Sequence, residues 1–275
     1  MTLPNFLIIG AAKAGTTSLY EYLAQHPDVY MSPIKETNHF CDEEQIDIPA
    51  VRSREAYERL FAAVNGERAI GEASPKYLNT IRGLERIDSD LPGVRLIVSL
   101  RNPVDRAYSS YLGLCRDGRE LRAPEDALRP GGYSFETSFY APRLRRYFDR
   151  FPRERIKVIL FDDLVARPAE TMREIFRFLD VDPSFAVDTT VRHNPAVVPR
   201  FPRLNRAITG GLRLVRPLMP QRLLWRDYGT RLRRAILRTP DPLSPALRAR
   251  LLEQYRDDIR ATGDLIGRDL SQWLA

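Results

Sequence analysis

Short apolar runs and amphipathic stretches alternate along the first two thirds of the chain. Residues 6–9 (FLII), 29–31 (VYM), 94–100 (VRLIVSL) and 156–161 (IKVILF) read as strands. Runs without a polar face point to strands buried on both sides of a sheet. Residues 69–77 read as another short strand running into a turn set by Pro75. Between them the spacing predicts helices. Residues 18–26 place Leu19, Tyr22 and Leu23 on one face and end at Pro27; residues 54–63 turn Tyr57, Leu60 and Phe61 inward. Residues 78–91 and 140–151 are amphipathic, and residues 167–179 present Met172, Ile175, Phe176 and Leu179 to a core. Strand and helix in alternation predict an α/β fold with one central parallel sheet flanked by helices. The polar, proline- and glycine-containing stretch 121–132 reads as a loop over the cleft.

The last third changes character. Residues 192–238 hold twelve arginines and a single acid, Asp227, interrupted by five prolines. Leu212, Leu214, Val215, Leu218, Leu223, Leu224 and Trp225 are interleaved with them. Three readings stay open: a basic lid over anionic ligands, a surface meeting an anionic membrane, or a solvated helical appendage packed by its apolar side. Residues 244–262 form a regular helix, with Ser244 to cap it and Pro245 in its first turn.

The 275 residues suffice for one large α/β domain or two small ones, with a net charge of +7 that is almost all arginine: the lysines are Lys13, Lys35, Lys76 and Lys157. Such a charge draws anionic ligands or surfaces. Cys41 and Cys115 are too few for a disulfide framework, and with His26, His39 and His193 they make no zinc pattern. The start of the chain lacks the look of a secretion signal, and no apolar run reaches membrane-spanning length. The expectation is a cytoplasmic protein, peripheral to the inner membrane face if the arginine-rich third meets lipid.

Three stretches carry chemistry. Gly10-Ala11-Ala12-Lys13-Ala14-Gly15-Thr16-Thr17-Ser18 follows the first strand. Small residues leave its backbone bare to an anion, Lys13 adds a charge, and three hydroxyls stand where a helix begins. It is not the nucleotide loop G-x-x-x-x-G-K-[ST]: Gly10 and Gly15 are spaced for it, but Thr16 stands where the lysine belongs. Lys35, Glu36 and His39 follow the second strand, a set equipped for general-base work. Arg101 ends the fourth strand, where open α/β sheets bind ligands, and Ser109 lies about two helical turns on, so that the two can share a second phosphate. Pairing of Arg101 with a carboxylate is the plainer alternative.

In that order these motifs resemble those of the PAPS-dependent sulfotransferases, in the bacterial branch similar to the heparan sulfate enzymes. Residues 10–19 are similar to the 5′-phosphosulfate loop, 35–40 to the segment holding the base, 72–77 to a second cleft segment, and Arg101-Asn102-Pro103 with Ser109 to the 3′-phosphate motif. The resemblance fades after Asp180. It implies one sulfotransferase domain over residues 1–275, an α/β core to residue 180 and a mostly helical arginine-rich lid or acceptor region beyond. It implies transfer of a sulfuryl group from 3′-phosphoadenosine 5′-phosphosulfate (PAPS) to a hydroxyl, less readily an amine, leaving PAP. Lys13, Ala14, Gly15, Thr16, Thr17 and Ser18 would hold the 5′-phosphate, and Arg101 and Ser109 the 3′-phosphate. Lys13 would stabilise the leaving group, and Glu36 would act as base with His39 the alternative. Arg200, with Arg192, His193 and Asn194, would cover the donor. No metal is expected, because a sulfuryl group needs no charge neutralisation of the kind a triphosphate does. The acceptor is expected among carbohydrates, glycolipids and small natural products, not nucleic acid. Two departures stand out: Ala73 and Asn38 occupy positions where eukaryotic heparan sulfate members carry lysine and histidine. The competing readings are a P-loop kinase or NTPase and a basic membrane-surface protein.

Overall fold

The structure, a computed structural model, describes residues 2–42, 50–190, 197–215 and 237–275. They divide into two compact units, Met1–Asn102, Tyr140–Asn194 and Asp258–Ala275 forming one, Pro103–Phe139 and Pro195–Asp257 the other.

The first unit is built on the central sheet. Strands β1 (Phe6–Gly10), β2 (Val29–Met31), β3 (Ala69–Ala73), β4 (Arg95–Leu100) and β5 (Ile156–Leu160) lie in the order β2-β3-β1-β4-β5, and all neighbours are parallel. The apolar runs were legible because both faces are covered. Phe6, Ile8, Ile97 and Ile159 pack with α1 (Thr16–Leu23), α8 (Phe161–Ala166) and α9 (Pro168–Phe178) through Leu19, Leu23, Leu164, Met172, Ile175 and Phe176. Leu7, Ile9, Leu96 and Val98, pointing the other way, are equally buried. The unit also holds α2 (Arg54–Arg59), α3 (Arg82–Asp90) and α7 (Ala141–Arg150).

Chain order along the sheet sets the location of the site. After β1 the chain moves to one side to build β2 and β3; after β3 it crosses to the other to build β4 and β5. The direction reverses between β1 and β4, the crevice in which open α/β sheets receive ligands. The loops leaving β1, β2, β3 and β4 all emerge at the carboxyl edge of the strands.

Helix boundaries moved where turns intervene. α1 begins at Thr16, not residue 18, because Gly15 turns the chain in the left-handed region at φ 82°. α3 starts at Arg82, not 78, because a tight 3-10 turn at Tyr77–Asn79 intervenes. α8 follows β5 without a loop, a helix the sequence reading did not separate from the strand.

The second unit contains α4 (Pro103–Arg116), a short helix α5 (Pro124–Ala127) in the stretch 121–132 expected as loop, a second short helix α6 (Tyr133–Glu136) just after it, and α10 (Pro202–Val215). Strands β6 (Val198–Pro199) and β7 (Leu237–Arg238) pair antiparallel. The buried Arg106 of α4 donates to Thr137 Oγ1 at 2.8 Å and Ser138 Oγ at 2.9 Å. Helix α11 (Pro245–Ile266) starts as its sequence foretells, Ser244 Oγ accepting the Leu247 amide at 3.3 Å, and contributes residues to both units. Arg192, His193, Asn194 and Trp225 lie outside the described residues.

Candidate functional site

The loop after β1 is tightly turned and lined by small residues. Ala11 and Ala14 are buried, and the loop turns through left-handed residues at Lys13 (φ 72°) and Gly15. At Gly15 a side chain meets two obstacles, the positive φ and Phe161, whose ring carbon would lie 2.9 Å from a Cβ. Strand β4 clamps the loop from beside: Ala11 N–H donates to Ser99 O at 2.8 Å, and Ser99 Oγ donates to Ala14 O at 2.6 Å. α1 opens on Thr16, Thr17 and Ser18 with no acid in its first turn, so its amides and dipole present positive potential at the loop.

Arg101 lies across the switch point. Its guanidinium donates to Lys13 O at 3.3 Å and lies 4.9 Å from the centre of the Phe161 ring. Among the described residues it forms no ion pair. Tyr140 OH donates to Arg101 O at 2.8 Å, and Asn102 Nδ2 reaches Trp273 O at 3.2 Å, so the end of β4 is fixed on both sides.

The loop after β2 holds Glu36 in an unusual backbone. Glu36 and Asn38 have φ of 63° and 50°, left-handed values that cost non-glycine residues energy unless neighbours impose them. Glu36 N–H donates to Ala73 O at 2.9 Å, and Asn38 Nδ2 donates to Glu36 O at 2.9 Å. Lys35 Nζ donates to Glu36 Oε1 at 2.9 Å, while Oε2 takes no hydrogen bond from the described residues. The Glu36 side chain is 42% exposed, so a solvent-borne hydroxyl can reach it.

His39 is differently placed. It is 6% exposed, stacked on Tyr57 with ring centres 4.2 Å apart, and its Nδ1 lies 2.7 Å from Val51 O. A carbonyl can only accept, so Nδ1 carries the proton and Nε2 faces Arg86 at 3.5 Å. Burial depresses its pKa below the ordinary histidine range, Arg86 and Arg54 adding to this while the Val51 contact and Asp90 oppose it. Beyond it, Asp42 accepts from Thr80 Oγ1 at 2.7 Å and from the Ile81 and Gly83 amides at 2.8 and 2.9 Å, pinning the loop to the start of α3. Burial pushes the Cys41 thiol up to about 12, leaving it protonated and unreactive.

Under this loop lies a group that sequence reasoning did not single out. Glu72 of β3 is fully buried, and its carboxylate accepts from Ser74 Oγ at 2.7 Å, Tyr77 OH at 2.6 Å and Tyr57 OH at 3.2 Å. Burial raises its pKa, and these hydroxyls pull against that. The signal was a lone acid in an otherwise apolar, doubly covered strand, AIGEA.

Lys13 to Ser18, Glu36, His39 and Arg101 thus all belong to the loops at one sheet edge of the first unit. Ser109, half-buried on α4, and Arg200, exposed ahead of α10, belong to the second. Among the described residues no cluster of three or more His, Cys, Asp or Glu is disposed to hold a metal, and no helix is long and apolar enough to cross a membrane.

The chain is similar to proteins of one family. The sequence profile described as the sulfotransferase family matches residues 35–185. Over 136 residues, 50% of this chain and 27% of the relative, it is 32% identical to the membrane-associated sulfotransferase kil1 of Dictyostelium discoideum. It is 27% identical to heparan sulfate glucosamine 3-O-sulfotransferase 5 of Homo sapiens, over 66% of this chain and 54% of that one. The chain therefore spans about a quarter to a half of the length of these curated relatives. A solved sulfotransferase from Alicyclobacillus acidocaldarius superposes with a TM-score of 0.76 at 32% identity, covering 100% of both chains.

Proposed function

The chain belongs to the sulfotransferase family, and from that premise we propose that it moves the sulfuryl group of PAPS to a hydroxyl of a carbohydrate or a related glycolipid or small natural product. One observation carries the reading. The loop after β1 and the arginine ending β4 meet at the switch point, joined by the Arg101–Lys13 contact, with Glu36 on the same edge. The names of the relatives, a glucosamine 3-O-sulfotransferase among them, favour a sugar hydroxyl as acceptor.

The chemistry follows from these parts. The acceptor oxygen attacks sulfur while its proton passes to Glu36, the sulfur–oxygen bond to the 5′-phosphate breaks, and the phosphate takes the charge. Glu36 suits the base because its side chain is reachable and one of its oxygens takes no hydrogen bond from the described residues. His39, buried with Nδ1 held by Val51, supports the loop instead. Lys13 and the amides of residues 14–18 meet the charge that develops on the phosphate. Arg101 grips the 3′-phosphate; Ser109 and Arg200 are assigned to the donor from the sequence alone. The donor calls for no metal.

The test is a binding titration with PAP against ADP. The reading expects PAP to bind more tightly and without Mg²⁺; equal weak binding of both, or Mg²⁺-dependent ATP binding, would favour the nucleotide-loop alternative. A screen of radiolabelled PAPS with aryl glycosides then identifies the acceptor class.

A second reading concerns where the enzyme works. At the start of α10, Phe201 and Leu204 are 59% and 52% exposed beside the exposed Arg200, Arg203 and Arg206. Apolar side chains ringed by arginine suit an anionic lipid surface and a lipid-linked acceptor. Sedimentation with anionic vesicles but not neutral ones is the expected result.

A further inference from the structure

The hydrogen bonds donated by the amides of residues 38–40 all lead to the buried carboxylate of Glu72. Ser74 Oγ and Tyr77 OH each have one proton, and both give it to Glu72, at 2.7 and 2.6 Å. Their oxygens are therefore left only as acceptors. Thr37 Oγ1 lies 3.1 Å from Tyr77 OH and 3.4 Å from Ser74 Oγ, so whichever it bonds, Thr37 is the donor. Its own oxygen then also faces the chain as an acceptor.

Three consecutive amides meet those acceptors. Asn38 N–H donates to Ser74 Oγ at 3.0 Å, His39 N–H to Thr37 Oγ1 at 3.4 Å, and Phe40 N–H to Tyr77 OH at 3.4 Å. We propose that Glu72 is a positioning residue for sulfuryl transfer: by taking the protons of Ser74 and Tyr77 it orients the hydroxyls that hold residues 38–40, and so fixes the left-handed backbone presenting Glu36 to the acceptor. Glu72 does not touch substrate. The inference rests on the reading of Glu36 as base, but its structural half does not.

The polarity of the network makes the inference sharp. A glutamine at 72 has one oxygen that accepts and one nitrogen that only donates. Ser74 and Tyr77 cannot then both donate to it. One hydroxyl must turn its proton away from residue 72, towards Thr37 Oγ1 or a loop amide, and the ordered run of donors and acceptors that holds residues 38–40 is broken. The change is nearly isosteric and removes a buried charge, so the sheet itself has no reason to come apart.

The experiment compares wild type, Glu72→Gln, Thr37→Val and Thr37→Ser. Amide hydrogen exchange over residues 37–41 is read first, as it needs neither ligand nor activity. Glu72→Gln is expected to speed exchange there by about tenfold or more, corresponding to the loss of one buried hydrogen bond, with strands β1 and β4 unchanged. Turnover of radiolabelled PAPS with the aryl glycoside that wild type uses best should fall by about tenfold or more in kcat, while the affinity for PAP stays within about twofold. Thr37→Val should act in the same direction, and Thr37→Ser, which keeps the hydroxyl, should restore wild-type exchange and kcat.

Unchanged exchange in Glu72→Gln, or PAP affinity falling in step with kcat, overturns the inference. If Glu72→Gln does not fold, the Thr37 pair decides: equal exchange and turnover in the valine and serine variants likewise overturn it. A wild-type protein that neither binds PAP nor transfers from PAPS overturns the functional reading, while exchange still decides whether Glu72 orders the loop.

Discussion

The guanidinium of Arg101 donates to the backbone carbonyl of Lys13 at 3.3 Å, so the residue ending β4 also braces the loop leaving β1. Removing it does two things: a phosphate partner is lost and the loop loses a support. Arg101→Ala is expected to weaken PAP binding by about ten- to a hundredfold, the range for hydrogen bonds to a charged group, and calorimetry measures it. Arg101→Lys keeps the charge but not the planar fork or its stacking on Phe161, and should recover only part of that loss. Binding of ADP, which lacks the 3′-phosphate, should change far less.

Glu36→Gln separates chemistry from binding. The substitution leaves the loop contacts through backbone atoms, Glu36 N–H to Ala73 O and Asn38 Nδ2 to Glu36 O, in place. Turnover should fall by about a hundred- to ten-thousandfold, the range for loss of a general base, with PAP affinity unchanged. Steady-state assays with PAPS alongside a PAP titration check both halves. Retained turnover would place the base elsewhere.

Much of the sheet and its edge was legible because the chemistry there is local. A strand covered on both faces must be apolar throughout, as at residues 6–9 and 96–98. A loop that turns tightly with its backbone bare must be made of small residues, and the run of alanine and glycine around Lys13 records that. Helix starts were less legible because a backbone turn decides them: Gly15 brings α1 forward, and the tight turn at Tyr77–Asn79 delays α3. The Glu72 network left one odd acid in a strand and no more. Of the residues in that network, Tyr57 and Thr37 come from stretches remote in sequence from Glu72 and Tyr77, and only the folded chain brings them together.

Gly15→Ala should damage the loop more than a single methyl suggests. The new Cβ meets Phe161 at 2.9 Å and Leu164 at 3.1 Å, at a φ of 82° that side chains rarely adopt. The backbone cost alone is about 1–3 kcal/mol. Because Phe161 also underlies the Arg101 guanidinium, displacement of the ring disturbs the proposed 3′-phosphate site as well. A lower urea midpoint accompanied by weaker PAP binding is expected; normal stability and affinity would show that the loop adapts without moving Phe161.

The depressed pKa of His39 predicts how stability depends on pH. Unfolded, the imidazole titrates near about 6.5. Folded, it is buried on Tyr57 with Arg86 beside Nε2, and it resists protonation until a lower pH. Above the unfolded value both states are neutral and the contribution is fully present. As pH falls below it, the unfolded chain takes up a proton that the folded chain refuses, so stability declines, by at most about 1.4 kcal/mol per pH unit. Once pH passes the folded value the loss is complete. Urea midpoints from pH 7.5 down towards 5, values bracketing the histidine range of about 6.5, should therefore fall in wild type and fall less in His39→Asn. The same variant tests the role of His39 in transfer. If it supports the loop, activity survives in reduced form and its pH profile keeps the same acid limb. If His39 is the base, His39→Asn abolishes turnover as completely as Glu36→Gln.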